Sequence, residues 1–352
     1  MPEVLWWGRF DPDYSRNRIL RQLLGELGWV VHDFRPAFSA AGDLEASLRR
    51  VLPPGLVWVP CFRQRDLAAA SRWARRRGIP LVFDPLISAY DKQVDEREKF
   101  TEDSVQANRL LAWEQSLFQS ADRVIADTPA HADYFAETLG VARQHLAVVY
   151  VGAEESLFRP EHVAEDHINC PLEVLFFGSF IPLQGPQVIV EAARIYAGPP
   201  VKWTLLGKGP LRAQCEEDAV DLDNVCFEDW VPYEELPARI SRANILLGIF
   251  GNTPKAARVI PNKVFQSLAC GRPVITRMSG AYPETVTNAI DSGLFWVRPG
   301  DAHALADRVA NLTSAPEQLH QFGNDAVATS QREFSSDVLR VQLGGLLKGL
   351  MR

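Results

Sequence analysis

The chain has little cysteine and no cysteine pair at metal-binding spacing: Cys61, Cys170, Cys215, Cys226 and Cys270 are odd in number and widely scattered. Neither a disulfide framework nor a CxxC zinc site follows from them. His32, His131, His145, His162, His167, His303 and His320 show no ligand spacing either, so no bound metal is expected. No apolar run approaches the roughly 18 residues that cross a bilayer, and no basic segment precedes an apolar stretch at the amino terminus. Repeats and low-complexity tracts are missing. Excess positive charge is missing too: the net charge is −7, so the basic surface that displaces counterions from nucleic acid is not there. The expectation left standing is a reduced, cytoplasmic protein with no nucleic-acid partner and at most peripheral contact with the inner face of a membrane.

What is present suits two domains. The 352 residues are 47% apolar and 23% charged, enough for two ordinary cores. Short apolar runs alternate with helical patterns throughout, which predicts an α/β fold with two Rossmann-like, doubly wound domains facing a cleft. Strands are expected at 4–7, 29–34, 56–59, 81–83, 123–126 and 147–151, then at 173–177, 202–206, 225–227, 244–249, 273–276 and 294–297. Helices are expected near 16–27, 43–51, 66–77, 95–120 and 129–139, then near 186–197, 211–218, 233–242, 262–270, 282–288 and 302–313. The divisions are a first domain over 1–152, a polar linker over 153–171, a second domain over 172–330, and a terminal helix over 331–352 packing back toward the first. Trp6 and Trp7 fall on opposite faces of the first strand and read as core.

Charge is uneven. Residues 1–152 carry 19 basic and 20 acidic side chains, whereas 153–352 carry 18 and 24, so an anionic acceptor or membrane surface meets the first half more easily. Its one cationic cluster, Arg72, Arg75, Arg76 and Arg77, ends a helix before Gly78. Complementing the helix dipole explains it, and contact with anionic lipid is the alternative.

The stretch IFGNTPKAARVIPNKVFQSLACGRP, 249–273, joins an apolar strand to a helix through a loop rich in cations. Lys255, Arg258 and Lys263 cluster around that loop and the first helical turn, beside free backbone N–H groups at the carboxyl edge of a parallel sheet. This is a place suited to an anion, and from this stretch alone a solvated basic loop is the alternative reading. Gly178 and Gly185 flank a second strand-to-helix turn with Pro186 at the helix start, and Gly207, Lys208 and Gly209 form a third short loop.

In sequence, FFGSFIPLQG (176–185), WTLLGKGPL (203–211), NVCFEDWVPYEELP (224–237), IPNKVFQSLACGRPVIT (260–276), AYPE (281–284) and WVRPGDAHALADRV (296–309) resemble the landmarks of the GT-B glycosyltransferases of glycosyltransferase family 4. WWGRFDPDYSRNR (6–18), LVFDPLISAYD (81–91) and DRVIADTPAHADYF (122–135) resemble a subgroup of the same family. The resemblance implies a retaining enzyme that moves a sugar from a UDP- or GDP-sugar to a glycan, lipid or small-molecule acceptor, with no cofactor beyond the nucleotide-sugar co-substrate. It implies a donor pocket at Gly178, Ser179, Gln184, Gly185, Gly207, Lys208, Gly209, Lys255 and Gln266. Trp230 and Val231 would receive the base, although Trp230 reads equally as core. Asp84 would orient acceptor or sugar, with Arg9, Tyr14, Asn17 and Asp91 on the acceptor side; a turn or N-cap role suits Asp84 as well. Arg16 and Arg18, near the same first loop, would also contact acceptor or phosphate, although Arg18 reads equally as an exposed helix cation.

Four positions depart from the family pattern. Its loop Arg and Lys fall on Ser179 and Gln184, and its two glutamates fall on Arg258 and Gln266. Arg258 and Lys263 would then carry the positive charge on the opposite wall, acting with Asp84 as the catalytic set, while Gln266 keeps an amide for the ribose. Two other readings stay open: a non-catalytic nucleotide-sugar or partner-binding module, and an epimerase or phosphorylase on the same fold.

Overall fold

The computed structural model describes residues 1–97, 99–160 and 171–350. The chain divides into two compact units, one formed by Met1–Val151 with Ser336–Arg352 and the other by Gly152–Ser335.

The first unit alternates β1 (Glu3–Trp7), α1 (Ser15–Glu26), β2 (Val30–Phe34), α2 (Gly42–Leu48), β3 (Leu56–Val59), α3 (Gln64–Arg75), β4 (Leu81–Phe83), α4 (Val105–Phe118), β5 (Arg123–Ala126), α5 (Pro129–Glu137) and β6 (Leu146–Val148). Its strands pair in the order β2-β1-β3-β4-β5-β6, every pair parallel. Strands covered on both faces read as continuous apolar runs, and LVWV of β3 is buried at every position. Trp6 and Trp7 are both core: Trp6 stacks on Trp58 at 5.2 Å, and Trp7 packs on Phe34 and Trp73 on the other face.

The second unit runs β7 (Leu172–Ser179), α6 (Pro186–Ile195), β8 (Val201–Lys208), α7 (Arg212–Asp218), β9 (Val225–Glu228), α8 (Leu236–Arg242), β10 (Ile245–Leu247), α9 (Asn262–Ala269), β11 (Val274–Arg277), α10 (Glu284–Thr287), β12 (Leu294–Val297), α11 (Ala302–Thr313) and α12 (Leu319–Glu333). The sheet order β12-β11-β10-β7-β8-β9 reverses direction at β7, so a crevice opens at the carboxyl ends of β7 and β10. In the first unit the reversal falls between β1 and β3. The last helix, α13 (Ser336–Leu350), packs on α1, and its Gln342 accepts a hydrogen bond from the Tyr150 amide.

Three expectations need correction. The helix expected over 95–120 is two pieces, a π-helical turn Asp91–Glu96 and α4 capped by Ser104. The cause is Glu114, buried on α4, which accepts from the Ser88 hydroxyl and the Ala89 and Tyr90 amides and fixes the earlier segment separately. A helix absent from the sequence reading, α12, fills 319–333, and the terminal helix starts anew at Ser336. The linker expected over 153–171 is packed where described: Phe158 is buried against Tyr233, whose hydroxyl donates to Glu154 at 2.8 Å. Positions 161–170, with His162, His167 and Cys170, lie outside the described residues.

Candidate active site

The crevice of the second unit is built from two loops pressed together. After β7 the chain passes through a 3-10 turn, Pro182–Gln184, to Gly185, whose φ of 67° lets it cap α6 directly before Pro186. After β10 it reaches Gly251 and a second 3-10 turn, Lys255–Ala257. Leu183, Ile249 and Ala256 form a small apolar core between these turns, with Ile181 and Val259 against it. The backbones meet so closely that a Cβ on Gly185 would lie 2.7 Å from the Gly251 nitrogen. Arg277, buried at the end of β11, donates to the Gly251 carbonyl at 2.7 Å and pins the second loop. Ser279 donates to the Ala257 carbonyl at 2.8 Å.

Lys263, in the first turn of α9, reaches back across this crevice. Its Nζ lies 3.6 Å from the Phe176 ring centroid and has no hydrogen-bond partner among the described residues. A Cβ on Gly178 would sit 2.9 Å from that Nζ and 3.4 Å from Gln184 Oε1, so the missing side chain of Gly178 provides the space toward which both groups extend. Gln184 Oε1 is likewise buried with no hydrogen-bond partner among the described residues. Burial alone holds the Lys263 ammonium well below the usual lysine range. A cation in this state is stabilised by whatever negative charge enters the space.

Other donor-side residues surround this centre. Ser179, Lys208 and Gly209 are exposed, and Gly207 is buried where β8 meets the Gly178 carbonyl. Arg212, which the sequence reading passed over, donates to the carbonyls of Gly207 and Glu228 and holds the loop after β8 to the end of β9. Lys255 is buried in the second 3-10 turn, and Arg258 ends that turn with its amide bonded to the Lys255 carbonyl. Gln266 is buried on α9 with its amide 3.5 Å from the Tyr233 hydroxyl. Trp230 is 44% exposed, so the core reading of that residue gives way, and Val231 beside it is half-buried.

The acceptor-side residues expected in the first unit fare differently. Asp84 is fully buried, and Arg16 grips both its oxygens, Nε–Oδ2 at 2.9 Å and Nη2–Oδ1 at 3.0 Å. The other guanidinium nitrogen donates to the carbonyls of Val149 and Tyr150, so the pair ties β4, α1 and the end of the first unit together. Burial lowers the pKa of Arg16, but Asp84 more than offsets this and the guanidinium stays charged, its pKa above the ordinary value. A carboxylate so held has no free face for an acceptor hydroxyl, and the expected acceptor-orienting role of Asp84 is corrected to that of an anchor. Asn17 is also buried: its amide donates to the Asp11 carbonyl at 2.6 Å and its oxygen accepts from Cys61, which shapes the loop after β1. Asp91 is buried in the π-helical turn, its amide bonded to Ser88 Oγ. Only Arg9, exposed, and Tyr14, half-buried with an edge-on contact to Phe62, are open among these acceptor-side residues. Among the described residues no group of three or more His, Cys, Asp or Glu could hold a metal ion.

Comparison with known proteins matches both units. Residues 11–152 fit the model of the glycosyl transferase 4-like domain, and residues 171–315 that of the glycosyl transferases group 1. A D-inositol 3-phosphate glycosyltransferase of Segniliparus rotundus is 26% identical over 292 residues, 78% of this chain and 63% of its own length. Another of that name from Acidothermus cellulolyticus is 26% identical over 245 residues, 64% of this chain and 52% of its own. The chain thus spans less than two thirds of the length of these curated relatives. Among solved structures, the sucrose-phosphate synthase of Thermosynechococcus elongatus aligns with a TM-score of 0.73 at 20% identity, over 100% of this chain and 99% of that one. HepE of Anabaena in complex with UDP-glucose aligns with a TM-score of 0.70 at 16% identity, over 99% and 100%. With two parallel, doubly wound sheets and a family domain matched on each, the chain belongs to the GT-B glycosyltransferases of glycosyltransferase family 4.

Proposed function

We propose that the protein transfers a hexose-type sugar from a UDP- or GDP-sugar to a glycan, lipid or small-molecule acceptor, with retention at the anomeric carbon. The observation that carries this reading is Lys263, a buried ammonium without a hydrogen-bond partner among the described residues, extending toward the space over Gly178 at the carboxyl ends of β7 and β10. A donor diphosphate placed there supplies the missing counter-charge. The family's loop cations are absent at Ser179 and Gln184, and Lys263 delivers one from the facing helix instead. HepE, solved with UDP and with UDP-glucose, shares the fold, which supports a uridine donor as the first to test.

In the reaction the bond from the anomeric carbon to the diphosphate oxygen breaks, and a bond from that carbon to the acceptor oxygen forms on the same face. The acceptor proton passes to a phosphate oxygen of the departing nucleotide, so no strong protein base is needed. Negative charge gathers on the leaving diphosphate, and a cation already desolvated and in place stabilises that charge without reorganisation, worth about 3 kcal/mol for a well-placed donor. Gln266 hydrogen-bonds ribose hydroxyls, and Trp230 offers an exposed ring to the base. The acceptor lies against the loops of the first unit, where Arg9 and Tyr14 remain open.

Calorimetry with UDP and GDP, followed by release of nucleotide from the matching sugar donors with D-inositol 3-phosphate among the acceptors, tests the reading. Binding lost in Lys263→Met together with product formed by the unaltered chain is the expected result. Nucleotide binding without turnover across donors and acceptors would replace it with the non-catalytic module.

A further inference from the structure

Gln266 stands where the family pattern has a glutamate, and the exchange changes what the side chain can offer a ribose. A carboxylate accepts hydrogen bonds at both oxygens, so it meets a hydroxyl whichever way it is turned. An amide accepts at one end and donates at the other. Something else must fix which end faces the ligand. Gln266 and Lys263 are three residues apart on α9, so both lie on the side of the helix that looks into the crevice.

Tyr233 fixes it. The residue opens the 3-10 turn Tyr233–Glu235 after β9, three positions beyond Trp230. Its hydroxyl carries one proton, which it donates to Glu154 Oε1 at 2.8 Å. The ionised carboxylate has no proton to give back. The phenolic oxygen is left as an acceptor, and Gln266 presents Nε2 to it at 3.5 Å. That distance makes a weak bond, but proton counting sets its direction: an amide turned the other way would put Oε1 against an oxygen with no proton to offer. The ring is held separately, by the edge-on contact with Phe158 at 5.5 Å.

We propose, on the reading of this crevice as a nucleotide-sugar site, that Tyr233 and Glu154 are positioning residues that keep Oε1 of Gln266 turned toward the donor ribose. The amide then serves as the hydrogen-bond acceptor that a glutamate would have been, and the pocket recognises ribose hydroxyls as donors. Glu154 acts through Tyr233, and Tyr233 through the amide. A neutral side chain thereby keeps the selectivity of an acid without placing a second negative charge near the diphosphate.

Calorimetry of the full chain with UDP and GDP, and with their 2′,3′-dideoxy forms, tests this. In the unaltered chain, loss of the ribose hydroxyls should weaken binding about 10-fold. Tyr233→Phe, which keeps the ring on Phe158, should cut that ratio to about 2-fold by weakening the ribonucleotide and leaving the dideoxy form as it was. Glu154→Leu should act alike although Tyr233 is intact, because the freed hydroxyl proton turns to Gln266 and draws Oε1 inward; if that variant does not fold, Tyr233→Phe decides. A carboxylate needs no orienting, so with Gln266→Glu already in place Tyr233→Phe should leave the ratio within about 2-fold of its starting value. A ratio unchanged by Tyr233→Phe, a ratio lost as fully with Gln266→Glu as without it, or equal weakening of both nucleotide forms would each overturn the positioning role and leave the donor site standing. No binding of either ribonucleotide to the unaltered chain would overturn the donor site, and this role with it.

Discussion

Gly178 and Lys263 occupy one another's space: the position of a Cβ on Gly178, where φ is 149°, lies 2.9 Å from the Lys263 ammonium. Gly178→Ala therefore strains the backbone and pushes the cation off its seat on Phe176. We expect UDP affinity to fall about 10- to 100-fold with a stability loss of about 1–3 kcal/mol. Paired calorimetry and denaturant melts check both.

Lys263→Met separates binding from stability. A buried ammonium with no counter-charge opposes folding, and methionine fills the same space without that cost. The variant should melt higher, by about 2–4 °C per kcal/mol relieved in a unit of this size, while losing UDP binding. Ser179→Arg in the same variant should recover part of the affinity, since it puts a cation back on the loop beside Gly178. A lower melting point would show that the lysine supports the fold.

The same group predicts a pH dependence. Its pKa is depressed in the folded apo-protein, so above that depressed value the unfolded chain binds more protons at this site. Stability should then rise with pH from the depressed value up to about 10.4, the ordinary lysine value, and this part of the slope should vanish in Lys263→Met. Diphosphate binding raises the pKa again. Titrations of UDP in buffers of different ionisation enthalpy, at alkaline pH, should show proton uptake in the unaltered chain and none in the variant.

Asp84→Asn should unfold the first unit more readily by about 3–5 kcal/mol, because it leaves the Arg16 guanidinium buried without its carboxylate. Replacing both partners with apolar residues of similar volume, as in Arg16→Met with Asp84→Leu, should recover most of that loss. If Asp84→Asn instead keeps its melting point while turnover drops, the carboxylate acts on substrate and the anchor reading fails.

The sheets were legible because parallel strands covered on both faces read as short apolar runs at regular intervals, as 56–59 and 245–247 do. The glycine turns were legible for a local reason: Gly185 before Pro186 marks a helix start whatever surrounds it. What escaped was long-range. Arg16 and Asp84 are 68 positions apart, and only the closed sheet makes one the counter-ion of the other. Glu114 carries no local sign that it will cap a segment 24 to 26 residues earlier. Arg277 lies one residue past the strand expected at 273–276, and its bond to the Gly251 carbonyl depends on where a loop 26 residues away comes to rest. Lys263 stood out as one cation among three. That its ammonium would be stripped of water against Phe176 follows from packing, which spacing does not encode.

The return of α13 to the first unit makes that unit discontinuous in sequence. Its closing contacts, Gln342 with the Tyr150 amide, Arg340 with Glu26 and Arg123 with the Gly349 carbonyl, join residues made early to residues made after the whole second unit. During synthesis the six-stranded sheet of residues 3–148 must therefore wait, with the α1 surface uncovered, while about 180 further residues emerge. The second unit, continuous in sequence, is free to complete its fold first.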